Sequence, residues 1–247
     1  MRKHPLFMHP ILNFKIDPSK DLEVLHGFLR DAKYAGGRNL DWAVFNKHPA
    51  MKDLIGEKFE IKSEASVEKY ILDYFEKNKV EIKTNINNYA KEWSKKDKDY
   101  FDLVTSIFSD RPWPKGQYLA YATIWGMFPR SLEDKTFQIP AIYDNKLYVN
   151  VIIAHEMLHF MFYDYFYQKY PDYNNKDANF LVWNVSEIFN SVVQNSEPWL
   201  RVFNLKTMTY PEHEKIEADL HFRYQIINSK NLAQLTEELL DLSKTLI

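Results

Sequence analysis

The run Val151-Ile152-Ile153-Ala154-His155-Glu156-Met157-Leu158-His159-Phe160-Met161 narrows what this chain can fold into more than any other stretch. Apart from the two histidines, Glu156 is the only charge between Val149 and Tyr163. A helix that is apolar all round belongs in a core, and a charge placed there is costly unless it has a partner or a task. Histidines at i and i+4 stand one turn apart on the same face, with Cβ atoms about 5–6 Å apart. That spacing lets two imidazoles share one Zn²⁺ at about 2.0–2.1 Å each. Glu156 is rotated about 100° from His155. It is poorly placed to ligate the same ion but well placed to reach a water on it, which is the arrangement that metal-assisted hydrolysis with a glutamate general base requires. The plainer alternative is a core helix holding two hydrogen-bonded histidines and one paired glutamate.

With its uncharged flanks, His155-Glu156-x-x-His159 resembles the active-site helix of the zincin metallopeptidases. The likeness is confined to this run and to a weaker element downstream. It implies a zinc-dependent peptidase acting on a peptide or protein substrate. It also implies an α+β, predominantly helical fold with a small mixed or antiparallel sheet packed beside the active-site helix, whose edge strand takes substrate as an added β-strand. Here that role falls on roughly Phe137 to Tyr143; an ordinary edge strand guarded by Pro140 fits those residues equally well.

A catalytic zinc usually has three protein ligands and an open position, so a third must be found. Cysteine is absent, which restricts the choice to His, Asp or Glu. Asp164 lies about 140° around the helix from His159 and faces away. Asp177, His213 and His221 stay open. Glu187 is the strongest candidate: it lies in Leu181–Val193 and shares a helical stripe with Asn184, Ser191 and Gln194, while most of the rest of that helix is apolar. A carboxylate on a second helix downstream of the histidines resembles the gluzincin branch. The stripe could also be the wet face of an amphipathic helix. The chain departs from the branch in a long separation between His159 and Glu187, and in Ser191 where the family has an Asp four residues after the ligand. A ligating histidine normally donates its other N–H to a carboxylate or carbonyl, so Asn184, Asn190 or a backbone carbonyl would have to stand in. The resemblance further implies a residue that stabilises an oxyanion, for which His213, Tyr210, His221 and Arg223 are the candidates.

The remaining sequence bounds the setting. A net charge of −2 over 247 residues makes no broad electrostatic case for nucleic acid or an anionic membrane. No run approaches a membrane span. The N-terminal segment starts basic but lacks an apolar core and a small-residue cleavage site. With no cysteine as well, the expected location is the cytoplasm; the leucine stripe of the last helix covers barely two heptads, so the expected state is a monomer.

Along the chain, Leu12, Phe14 and Ile16 alternate as a short strand. Asp17-Pro18 opens a helix carrying Leu22, Leu25 and Leu29, which Gly36-Gly37 ends. Short helical pieces broken near Pro49 and Gly56 follow. Helices are then expected over Ser63–Lys79, Val80–Lys95 and Tyr100–Phe108. Arg111–Gly116 is the clearest break. Beyond it, Tyr118–Phe128 and Thr136–Tyr143 read as two strands of a β-hairpin, with Pro140 marking an edge or a bulge. Asn150 or Asp144 caps the histidine helix, which Pro171 stops; further helices span Phe180–Gln194, Pro211–Ile227 and Asn231–Ile247. The leucine stripe of the last one packs on the domain. The expectation is a single unit with a mostly helical subdomain at 1–115 and a metal-site subdomain at 116–247. Two other readings of the chain remain: a metal-dependent hydrolase of non-peptide amides or esters, and a non-enzymatic helical interaction protein.

Overall fold

The computed structural model describes residues 9–35, 40–174 and 179–246. Gly36, Gly37 and Asp177 fall outside them. The protein is mostly helical with one small mixed sheet, an α+β architecture. It forms two compact units from interleaved stretches of chain. One is Ile11–Lys91 with Gln117–Val149; the other is Met1–Pro10 with Glu92–Gly116 and Asn150–Ile247. The boundary after Gly116 coincides with the Pro- and Gly-rich break at Arg111–Gly116.

The first unit holds the sheet. Its strands are β1 (Leu12–Lys15), β2 (Tyr118–Thr123), β3 (Arg130–Ser131) and β4 (Thr136–Pro140), in the order β1-β2-β4-β3. The expected hairpin between β2 and β4 is not there. These strands run parallel, with Leu119 opposite Thr136 and Thr123 opposite Pro140. Parallel neighbours need a crossover of about a dozen residues, and residues 124–135 supply it. The antiparallel pairing belongs to the two-residue β3, where Arg130 faces Phe137. β4 is therefore an inner strand at Thr136 and Phe137 and a sheet edge beyond them, so the edge expected around Pro140 begins only past the end of β3. Pro140 is tolerated because backbone N–H groups alternate in direction along a strand. Gln138 N–H points to the Pro129 carbonyl on the β3 side and Ala141 N–H to Thr123 on the β2 side. The missing N–H of Pro140 falls on the β3 side, past the end of β3.

Around the sheet lie α1 (Ser19–Ala35), α2 (Met51–Leu54), α3 (Glu64–Lys77) and α4 (Lys79–Trp93). Asp17 caps α1 by accepting the Ser19 N–H at 3.1 Å, and Ser63 caps α3 through Ser66 N–H at 3.3 Å. Asp21 on α1 is fully buried and ties the helix to the end of β2. It accepts from the Thr123 hydroxyl and from the Ile124 N–H, while its carbonyl takes the Trp125 indole N–H at 2.8 Å. Burial pushes its carboxyl up to about 7 against these two donors. Gly126 passes so close to the backbone that a Cβ there would meet the Trp42 carbonyl oxygen at 2.5 Å.

The second unit is helical among its described residues: α5 (Asp97–Ile107), α6 (Val149–Lys169), α7 (Asn179–Gln194), α8 (Glu197–Phe203), α9 (Glu214–Arg223) and α10 (Leu232–Ser243). α6 is the histidine helix, and Asn150 lies inside it rather than capping it. It is buried nearly all round, with Ile153, Ala154, Met157, Leu158, Met161 and Phe162 inaccessible. Each of these side chains larger than Ala154 contributes about 1.5–3 kcal/mol when removed from water. Tyr100 of α5 donates its hydroxyl to the Ala154 carbonyl at 2.9 Å, and Phe162 packs on Phe189 of α7 with centroids 4.9 Å apart. α9 is shorter than the expected Pro211–Ile227 helix. The leucine stripe of α10 packs inward: Leu232, Leu235 and Leu239 are buried, and α10 lies against α7. No described helix is long and apolar enough to cross a membrane.

Candidate metal centre

α6 and α7 face each other with the polar stripe of α7 turned to the histidines. His155 Nε2 lies 3.0 Å from His159 Nε2. Glu187 reaches both rings, with Oε2 3.1 Å from His155 Nε2 and Oε1 3.4 Å from His159 Nε2. Ligand atoms bonded tetrahedrally to zinc at about 2.0–2.1 Å lie about 3.3 Å from one another. The three observed separations bracket that value, and two imidazole nitrogens with a carboxylate oxygen are a suitable donor set. The residues therefore fit a bound zinc ion.

Glu156 is 5% exposed. A carboxylate oxygen of it and a ring nitrogen of each histidine lie within 4.8 Å of one another. Two carboxylates therefore lie beside the histidine pair, Glu187 from the facing helix and Glu156 from α6 itself. His159 is inaccessible, whereas His155 keeps 19% of its side-chain surface open. The centre thus sits deep in the helical unit with one ligand toward its accessible side. Burial acts to lower the His155 pKa, but the hydrogen bond and charge of Glu187, with the charge of Glu156, outweigh it and hold the imidazole above its ordinary range.

The support for His155 comes from a residue that the sequence placed on the stripe but did not single out. Gln194, fully buried, accepts from His155 Nδ1 through Oε1 at 2.7 Å. Its amide nitrogen donates to the Val151 carbonyl at 3.3 Å, which sets the amide so that its oxygen faces the ring. A proton held on Nδ1 leaves Nε2 to present its lone pair toward a metal. Gln194 lies two turns beyond Glu187, a spacing of seven that keeps it on the same face; that is the signal by which it was findable.

The substitutes weighed from sequence have other partners. Asn190 donates to the His155 backbone carbonyl at 3.1 Å, and Asn184 Oδ1 meets His213 Nε2 at 2.8 Å. His213 is thereby held beside Asn184, one turn before Glu187, and senses the Glu187 charge. Asp164 faces away as expected and pairs with Arg111 at 2.9 Å. Arg223 pairs with Asp219 and Glu238. His221 lies on the last turn of α9. Tyr210 is 39% exposed and rests against His213 with centroids 5.5 Å apart.

Compared with protein-family models, with curated proteins and with solved structures, the chain matches none of them.

Proposed function

We propose that this protein is a zinc-dependent metallopeptidase of zincin type, with His155, His159 and Glu187 as metal ligands and Glu156 as general base. The observation that carries the proposal is the convergence of His155 Nε2, His159 Nε2 and the Glu187 carboxylate at 3.0–3.4 Å, with a second carboxylate, Glu156, beside them. A resident Zn²⁺ would supply Lewis-acid polarisation of a carbonyl and acidification of water.

The other roles belong to the chain itself. Glu156 accepts a proton on its carboxylate from the attacking water and returns it to the departing amine. Glu156 is itself buried, which limits the access of bulk water to that proton. Gln194 holds the His155 ring in one tautomer and one orientation. Asn190 fastens the α6 backbone at His155 to α7, so the two ligand-bearing helices are held in register.

The test is elemental analysis of the purified chain beside a peptide-hydrolysis assay. About one zinc per chain is expected in the wild type, with loss in His155→Ala and Glu187→Ala. Glu156→Gln should keep its zinc and lose turnover. Zinc retained in Glu187→Ala would remove that ligand from the proposal, and undiminished hydrolysis by Glu156→Gln would remove the base. Hydrolysis of simple amides or esters without any of peptides would reassign the substrate class.

A further inference from the structure

From the side-chain arrangement at the N-terminal end of α7, we infer a binding subsite for an aromatic side chain of a peptide, set three residues away from the bond that the proposed centre cleaves. The inference rests on the peptidase reading above.

Phe180, Asn184, Glu187, Ser191 and Gln194 follow one another at helical spacing and share one face of α7. At the C-terminal end this face is covered, and Glu187 and Gln194 are buried against α6. At the N-terminal end it emerges, and Phe180 is 60% exposed. The Phe180 ring stacks on Trp183 with an interplanar angle of 18° and centroids 5.6 Å apart. Trp183 meets Tyr210 at 5.2 Å and His213 at 5.8 Å. The four rings form a continuous chain of contacts, stacked at the Phe180–Trp183 end and inclined beyond it, that runs from solvent at Phe180 to the fully buried His213, which is bonded to Asn184 beside Glu187.

Two polar atoms at the inner end add an independent pointer. Asn184 Nδ2 and His213 Nδ1 are buried with no hydrogen-bond partner among the described residues. Buried polar side-chain atoms nearly always have one. With His213 Nε2 donating to Asn184 Oδ1, the Asn184 amide N–H groups and the His213 Nδ1 acceptor are left open. A peptide group offers the matching C=O and N–H. A stacked pair of rings, Phe180 on Trp183, near a donor–acceptor pair suits a peptide carrying a ring side chain.

The distance sets the position. Seven helical residues separate Phe180 from Glu187, a rise of about 10 Å. An extended peptide advances about 3.3 Å per residue. A substrate held at the metal centre therefore brings the side chain three residues from the scissile bond over Phe180. Stacking adds to area burial for aromatic pairs, so the preference for Phe, Tyr or Trp over Ala at that position should be about tenfold.

The experiment uses the zinc-loaded full chain and a diverse peptide mixture, with cleavage sites read by mass spectrometry. Aromatic residues should be enriched about tenfold at the third position to one side of the cuts, and the enrichment should flatten in Phe180→Ala. Trp183→Leu serves as a second variant, since it removes the stacking partner of Phe180. Cuts without remote aromatic enrichment, or enrichment that persists in both variants, would overturn the subsite and leave the peptidase standing. The absence of cuts from every preparation would overturn the peptidase reading instead. A binding measurement then decides the subsite: fluorescence anisotropy of a labelled aromatic hexapeptide and its alanine counterpart on zinc-loaded Glu156→Gln. Tighter binding of the aromatic peptide, lost in Phe180→Ala, keeps the subsite, and equal binding overturns it.

Discussion

Replacing Gln194 by Leu should weaken zinc binding without touching any proposed ligand. Gln194 is fully buried and is the acceptor for His155 Nδ1 at 2.7 Å. Leu is close in volume and removes both polar atoms. The His155 Nδ1–H then faces an apolar side chain at the fully buried position of Gln194. A buried donor left without an acceptor costs about 1–3 kcal/mol. The ring can escape that cost by moving the proton to Nε2, which withdraws the lone pair meant for the metal. Either route is charged against metal binding, and at 1.4 kcal/mol per tenfold it corresponds to a loss of about 5–150-fold in affinity. Outer partners of zinc-bound histidines contribute about 10–100-fold when mutated, so the two routes agree. The second bond of Gln194, to the Val151 carbonyl, matters less, because that carbonyl also serves the α6 ladder. The assay is competition with a chromophoric zinc chelator at fixed pH, with a thermal melt to verify the fold. Gln194→Glu keeps an acceptor facing His155 and should hold zinc at least as tightly as the wild type. A folded Gln194→Leu protein whose zinc affinity stays within about twofold of wild type would refute the orienting role.

Three further expectations follow from the same structure. Glu187→Ala should reduce zinc to well below one equivalent after dialysis, measured by elemental analysis, because it removes the only proposed anionic ligand from a pair of imidazoles. Asp21→Asn should stabilise the protein increasingly as the pH rises. The Asp21 carboxyl titrates at about 7 when folded, against an ordinary 3.8, so the folded state holds the extra proton between those values. Its contribution to stability is complete below 3.8 and is lost as the pH rises through about 7, a swing of about 4 kcal/mol. Urea unfolding at pH 4, 5.5 and 7.5 reads the difference between variant and wild type; a pH-independent difference would contradict the buried carboxylate. Leu235→Ala should cost about 2–5 kcal/mol in chemical unfolding, since Leu235 is fully buried on the face of α10 that meets α7. A change below about 0.5 kcal/mol would show that the α10 stripe is not part of the core.

Much of the helical unit was legible because its signals are local. The i, i+4 histidines, the apolar flanks of α6 and the stripe on α7 are properties of a few consecutive turns, and helical geometry converts such spacing directly into shared faces. Glu187 was reachable by the same logic: it is the only acidic residue on its helix, and burial of a carboxylate asks for a partner. Gln194 lay on the same stripe, but its partner was decided by which acceptor stands 2.7 Å from His155, a relation between two helices.

The sequence by itself determined that α6 is buried, that it presents two imidazoles on one face, and that no thiolate can join them. The tertiary structure alone decided the rest. It made β2 and β4 parallel neighbours, because pairing partners and register depend on chain crossing between distant segments and not on the alternation within either strand. It gave β4 an inner place at Thr136 and Phe137, where β3 pairs with it. It brought Glu187 to both histidines and Gln194 behind His155, because the distance between helices is set by how Phe162, Phe189 and their neighbours pack. It also placed Tyr210 and His213 beside Trp183, joining a loop to a helix some thirty residues earlier. Spacing along one helix follows from fixed backbone geometry, whereas spacing between helices is the outcome of packing, and this site needs both.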